Sequence, residues 1–157
     1  MTQVGYYSGS SNVRNPLSLA LDTTNDVLYV PSSTGKIAAF DVSDLSNLTV
    51  LDSVIFSSGI NYLRLAPQDD ILYFSYGSTF ASLDVSDPSN LSYISGYNAA
   101  IYVTDMQIDH AQDYVVAVAN GNEIKSIDVS NPSSMSTLTS YSNTSYIDNA
   151  QFVRLGY

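Results

Sequence analysis

The sequence predicts an all-β fold: a β-propeller-like array of about three four-stranded antiparallel blades, with an unpaired strand at each end. Three observations predict it. An Asp-Val-Ser motif recurs with its aspartate at 41, 84 and 128, a spacing of 43 and then 44 residues. Within each interval, four short apolar segments alternate with turn-forming residues. No stretch carries apolar residues at helical spacing, so essentially no helix is expected. A repeat of roughly 40 to 45 residues holding four strands has the size of a propeller blade.

The elements follow in order. Residues 1–7 align with the end of a repeat, Val4 and Tyr7 falling where Ile94 and Tyr97 fall later, and are expected to form a lone strand. Leu17-Ser-Leu-Ala-Leu21 has the period of two of a half-buried strand. Asp22 to Asp26 is a turn, because short Asp and Asn side chains bond their own backbone. Val27 to Val30 is apolar on both faces, Ile37 to Val42 is a third strand, and Leu48 to Val54 a fourth. The beats repeat through Tyr62–Ala66, Ile71–Phe74, Phe80–Val85 and Leu91–Tyr97. They repeat again through Asp105–Ile108, Tyr114–Ala119, Ile124–Val129 and Met135–Tyr141. Asn120-Gly121 suits a tight hairpin, since both positions tolerate positive φ. Residues 147–155 end on a match to the first strand of a further copy. The chain thus divides into units at about 13–54, 55–97 and 98–141, with terminal strands at 1–7 and 147–155.

Each unit alone is too small to bury two apolar faces. The middle strands are apolar on both, so each needs a neighbour on either side, and radial stacking supplies it.

Leu83-Asp-Val-Ser-Asp-Pro-Ser-Asn-Leu91, with Ile127-Asp-Val-Ser-Asn-Pro132 as its equivalent, resembles the LVIVD repeat of bacterial and archaeal surface proteins. The first copy departs from it, with Leu45 where the others have Pro88 and Pro132. The resemblance implies propeller blades and a surface setting, and carries no established catalytic residues. The motif also has a mechanical account. Asp41, Asp84 and Asp128 can accept hydrogen bonds from amides just ahead, and proline pre-sets φ for the crossing to the outer strand.

Composition narrows the partners. Fifteen Asp and Glu against five Lys and Arg give a formal net charge of −10. Such a surface repels phosphate backbones and anionic headgroups, so no nucleic acid is expected as partner. The longest apolar run, Tyr114–Ala119, is far shorter than the roughly 20 residues of a membrane helix, so no membrane insertion is expected. There are no cysteines, which excludes disulfides and thiol chemistry. Few lysines and 13 tyrosines suggest an extracellular, cell-surface or virion setting, although residues 1–7 lack the features of a signal peptide.

No residue stands out as catalytic. His110, the only histidine, lies in an expected turn, and no Gly-x-Ser-x-Gly elbow accompanies it. Asp22 with Asp26, Asp69 with Asp70, and Asp109 with Asp113 recur in the first hairpin turns. None fits a calcium-loop pattern, and turns favour Asp in any case. The expectation is therefore no enzyme, no metal and no cofactor. Asn47, Asn90 and Asn143 head N-glycosylation acceptor patterns. Tyr6, Tyr7, Tyr146 and Tyr157, in turns or near the chain ends, are candidate interface residues, because tyrosine joins an apolar body to a polar tip.

Closed propellers have at least about four blades. Three units leave two faces bare, and bare apolar faces mark interfaces. The expected role is a non-enzymatic structural or interaction module that self-associates through those faces and the terminal strands. Three options follow: two chains pairing into a ring of roughly six or seven blades, an open filament built from head-to-tail contacts, or a piece of a longer propeller. The alternative is an oligomeric carbohydrate-binding, lectin-like propeller, which the absence of tryptophan weakens.

Overall fold

A computed structural model describes residues 7, 9, 12–66, 68–119, 122–145, 147 and 153–154, without the side chain of Asn61. The described residues form twelve strands and no helix. They are β1 (Ala20–Asp22), β2 (Val27–Pro31), β3 (Lys36–Asp41), β4 (Thr49–Ile55), β5 (Ile60–Ala66) and β6 (Ile71–Tyr76). They continue as β7 (Thr79–Asp84), β8 (Ser92–Asn98), β9 (Val103–Asp109), β10 (Tyr114–Ala119), β11 (Glu123–Asp128) and β12 (Ser136–Ser142). Three antiparallel sheets follow the chain: β1 to β4, β5 to β8 and β9 to β12, here blades I, II and III. The blades meet chiefly through their first strands, β1 beside β5 and β5 beside β9, which makes these the inner strands of the array.

The repeat dictates each turn in detail. In the hairpin after the inner strand, Asp26, Asp70 and Asp113 stand at equivalent positions with φ of 53°, 53° and 52°. Aspartate tolerates this left-handed conformation better than most residues. Their carbonyls accept from the amides of Val42, Val85 and Val129 at 2.8, 2.9 and 2.9 Å, which ties that turn to the Asp-Val-Ser motif. Gly35, at φ of 87°, turns β2 into β3 where any Cβ would strike the carbonyl of Phe56. Every outer strand carries a bulge at the same place, opposite Ala39/Phe40, Ser82/Leu83 and Ser126/Ile127.

The core lies between blades. Val27, Tyr29, Ile37 and Ala39 of blade I pack against Leu63, Leu72, Phe74 and Leu83 of blade II. Ile71, Tyr73 and Phe80 of blade II pack against Met106, Val115, Ala117 and Ile127 of blade III. Each blade thus turns one set of strand residues towards its predecessor and the alternate set towards its successor, as the pleat requires.

The inner strand of blade I differs from the sequence expectation. Leu17–Leu21 predicts a strand, yet only Ala20–Asp22 pairs with β2. Leu19 occupies the register position of Leu63 and Met106, which are fully buried by the preceding blade. No described residue covers Leu19 to that degree, and it is 60% exposed. The expected terminal strands fall mainly outside the described residues, as does the Asn120-Gly121 turn.

Candidate interaction surfaces

The Asp-Val-Ser motif closes on itself. Asp41 Oδ1 accepts from the amide and hydroxyl of Ser43 at 2.9 and 2.6 Å. Asp84 does so from Ser86 at 2.9 and 2.7 Å, and Asp128 from Ser130 at 3.0 and 2.7 Å. The serine hydroxyl first, then the serine amide, holds each carboxyl below the usual aspartate range. All three groups stand at the ends of the third strands of their blades.

The other singled-out residues scatter. Asn47 and Asn90 are exposed in equivalent turns, while Asn143 is half-buried and accepts from the Ser145 amide at 2.8 Å. His110 borders a shallow recess with Gln68, Asp109 and Ala111. Among the described residues, no group of three or more His, Asp or Glu gathers as a metal site would require. Tyr6, Tyr146 and Tyr157 lie outside the described residues. Tyr7 lies edge-on against Phe40, 4.8 Å between ring centroids, on the outward face of blade I.

That face is the first surface of interest. Tyr7 and Val13 shelter Val30, Ala38 and Phe40, and a recess of about 220 Å³ remains beside Leu28 and Leu48. Towards the inner strand the shelter ends, and Leu17, Leu19 and Leu21 are 62%, 60% and 52% exposed. The opposite end of the array is the second surface. Tyr114, Val116 and Ile124 of blade III stand at the register positions of Ile71, Tyr73 and Phe80, but are only half-buried. Leu138 and Tyr141, the equivalents of Ile94 and Tyr97, are 58% and 50% exposed.

Between blades, two buried tyrosines repeat one contact. Tyr29 Oη donates to the carbonyl of Val85 at 3.5 Å and Tyr73 Oη to that of Val129 at 3.2 Å. Burial, then Asp69 and Asp113 nearby, pushes the Tyr73 phenol up to about 12. Tyr29 rises in the same way, through burial and then Asp22 and Asp70.

An ion cluster marks the inner end of blade III. Asp105 is buried, and its Oδ1 accepts from Arg64 Nη2 at 2.6 Å. Its Oδ2 accepts from Arg154 Nη1 at 2.9 Å and from the Val153 amide at 3.0 Å. Motif reading misses this cluster, because its members come from three repeats. The legible signal was a charged residue inside two apolar inner-strand segments, Leu63-Arg-Leu65 and Val153-Arg-Leu155.

At the outer edge between blades I and II, Phe56 meets Phe74, Tyr76 and Tyr93 with ring centroids 4.7, 5.2 and 5.8 Å apart. The adjoining recess, about 360 Å³, is lined by Val54, Ile55, Phe56, Ser57, Tyr76 and Tyr93. The matching positions between blades II and III hold Ala99, Ala119 and Thr137.

Similar solved structures share the fold. A provisionally assigned 6-phosphogluconolactonase from Bacteroides fragilis matches with a TM-score of 0.72 at 16% identity, over 85% of this chain and 40% of its own. One from Bacteroides uniformis matches with a TM-score of 0.72 at 17% identity, over 87% and 42%. The β-propeller domain of Myceliophteria thermophila Cps50 (Swd1) matches with a TM-score of 0.63 at 14% identity, over 83% and 42%. The chain spans about two fifths of the length of these structures. No curated protein matches its sequence.

The two lactonase assignments correct the expectation that the chain is no enzyme, while the low identities make the likeness one of fold. The physical reason is plain. Side chains that act together can come from several blades, as those on Asp105 do, so a missing local motif does not argue against catalysis. The array is nonetheless that of a β-propeller. The LVIVD repeat model matches residues 77–99 and 112–143, over the motif copies of the second and third blades.

Proposed function

We propose that the chain is an interaction module that self-associates head to tail. The outward face of blade I on one copy meets the open face of blade III on another. One observation carries this reading. Leu19 and Leu21 are 60% and 52% exposed, whereas Leu63 and Met106, at the register of Leu19, are fully buried by the preceding blade. The open face of blade III offers what the preceding blade offers elsewhere: Tyr114, Val116, Ile124 and Leu138 at positions that are covered in blades I and II. Contacts of this kind are heterologous and give a ring if the rotation closes and a filament if it does not. The sparse lysine and acidic surface support an extracellular, cell-surface or virion setting as part of the proposal.

The test is solution mass by light scattering on a sizing column, with Leu19→Asp and Leu21→Asp beside the unaltered chain. A discrete oligomer or a large species that falls to monomer in the double variant supports the reading. A monomer at every concentration sinks it.

A second reading rests on the aromatic recess at the outer edge. Phe56, Tyr76 and Tyr93 replace small residues found at the equivalent place, so the blade frame does not require them. Rings of this kind stack on sugar faces, and the two phenols supply polar tips. A glycan array that finds binders lost in Tyr93→Ala supports carbohydrate binding. An array without binders removes it.

A further inference from the structure

The place where a following blade would begin is already held by the chain itself. Where blade II follows blade I, the Leu63 amide donates to Ser18 Oγ at 3.2 Å. Asp105 stands in blade III where Ser18 stands in blade I, two residues before the partners of Tyr29 and Val116. The Val153 amide donates to Asp105 as Leu63 does to Ser18, at 3.0 Å. The next residue continues the mimicry. Arg64 bonds the carbonyl of Leu63 at 2.8 Å and Asp105 at 2.6 Å, and Arg154 bonds the carbonyl of Val153 at 2.6 Å and Asp105 at 2.9 Å.

We propose that Val153 and Arg154 are a removable cap on the inner end of blade III, and that residues 17–21 of a second copy take the same place on Asp105 when chains join. The inference rests on the head-to-tail reading above and adds a competition to it. By register, Leu19 of the incoming copy replaces Val153, and its amide can serve Asp105 Oδ2. Ala20 replaces Arg154. The exchange leaves Asp105 paired with Arg64 alone, one carboxylate to one guanidinium, so the buried charge stays matched. It also covers Leu17, Leu19 and Leu21, which stand exposed in the single chain. The cap is held weakly enough to leave, because the Arg154 side chain is 68% exposed and its ion pair is screened by water and salt.

Sedimentation equilibrium of the full chain, at low and moderate sodium chloride, tests this with Arg154→Ala, Val153→Pro and Leu19→Asp. Loss of the cap should let Arg154→Ala and Val153→Pro associate at roughly three- to tenfold lower concentration than the unaltered chain. Salt should strengthen association of the unaltered chain and not of Arg154→Ala. Leu19→Asp placed in the Arg154→Ala background should abolish the gain. If the unaltered chain associates and both cap variants associate equally or less well, the cap is wrong and head-to-tail association stands. If the gain survives Leu19→Asp, another segment uses the site and the competition is overturned. If no form associates at any concentration, the head-to-tail reading falls, and the cap with it.

Discussion

Between blades I and II the inner end is mainly apolar, with Ala20 in one core with Leu63 and the Leu63 amide donating to Ser18 Oγ at 3.2 Å, and the outer end is filled by Phe56, Phe74 and Tyr76. Between blades II and III the inner end holds the Arg64–Asp105 pair, and the outer end the small Ala99 with a Tyr97–Thr137 hydroxyl contact at 3.2 Å. A further polar contact, Ser82 Oγ to the Pro132 carbonyl at 2.7 Å, has no counterpart at Ala39. The same strands and turns thus make a mainly oily interface, with the Leu91 amide bonded to Asp52 Oδ2 at 2.8 Å, and one keyed by an ion pair. Identical interfaces would let any blade stack on any other. Unlike ones fix the order, because Arg64 placed against an apolar neighbour would be left without its carboxylate.

Substitutions can break this comparison. The largest effect is expected from Phe74→Ala, which empties the oily interface beneath Phe56 and Tyr76. It should cost about 3–5 kcal/mol in denaturant unfolding. Asp105→Ala should cost somewhat less, about 3 kcal/mol, by leaving Arg64 unpaired. Adding Arg64→Leu should restore part of that loss, since apolar replacement of a buried pair is often neutral. An uncompensated double variant would mean that Asp105 acts through Val153 rather than through Arg64.

Smaller effects sharpen the comparison. Tyr73→Phe should cost about 1 kcal/mol and Tyr29→Phe less, because its hydrogen bond is longer; calorimetry of the two variants would order them. The smallest effect concerns what the interfaces share. Asp41, Asp84 and Asp128 have folded pKa values below the unfolded value of about 3.9. Their contribution is present above that value and is lost as pH falls through the folded values. Replacing all three by Asn should flatten the fall in Tm below about pH 4. An acid limb as steep as before would place the titration elsewhere.

The frame was legible because its causes are local. Aspartates at 26, 70 and 113 must take a left-handed turn, and those at 41, 84 and 128 bond the serine two residues on; both requirements recur in the sequence at one period. The arginines of the Arg64–Asp105–Arg154 cluster stood out within apolar segments, but their meeting with Asp105 was not legible, since it joins residues 41 and 49 positions apart and depends on how blades stack. The shortened β1 was missed for a related reason. Alternation at Leu17–Leu21 reports what a strand could bury, and nothing in five residues says whether a neighbour is there to bury it. Catalytic potential suffers most from this, because the absence of a linear motif says little about side chains assembled from several blades.

The bulges in β4, β8 and β12 have a consequence of another kind. An outermost strand exposes a row of unpaired amides and carbonyls, a template on which a stranger's strand can add. A bulge breaks the regular spacing of that row and increases its twist. Here every blade carries one at the same step, and β12 adds a hydroxyl-rich stretch, Ser136-Thr-Leu-Thr-Ser140. The rim is therefore a poorer template for a stranger's strand than an unbroken edge would be.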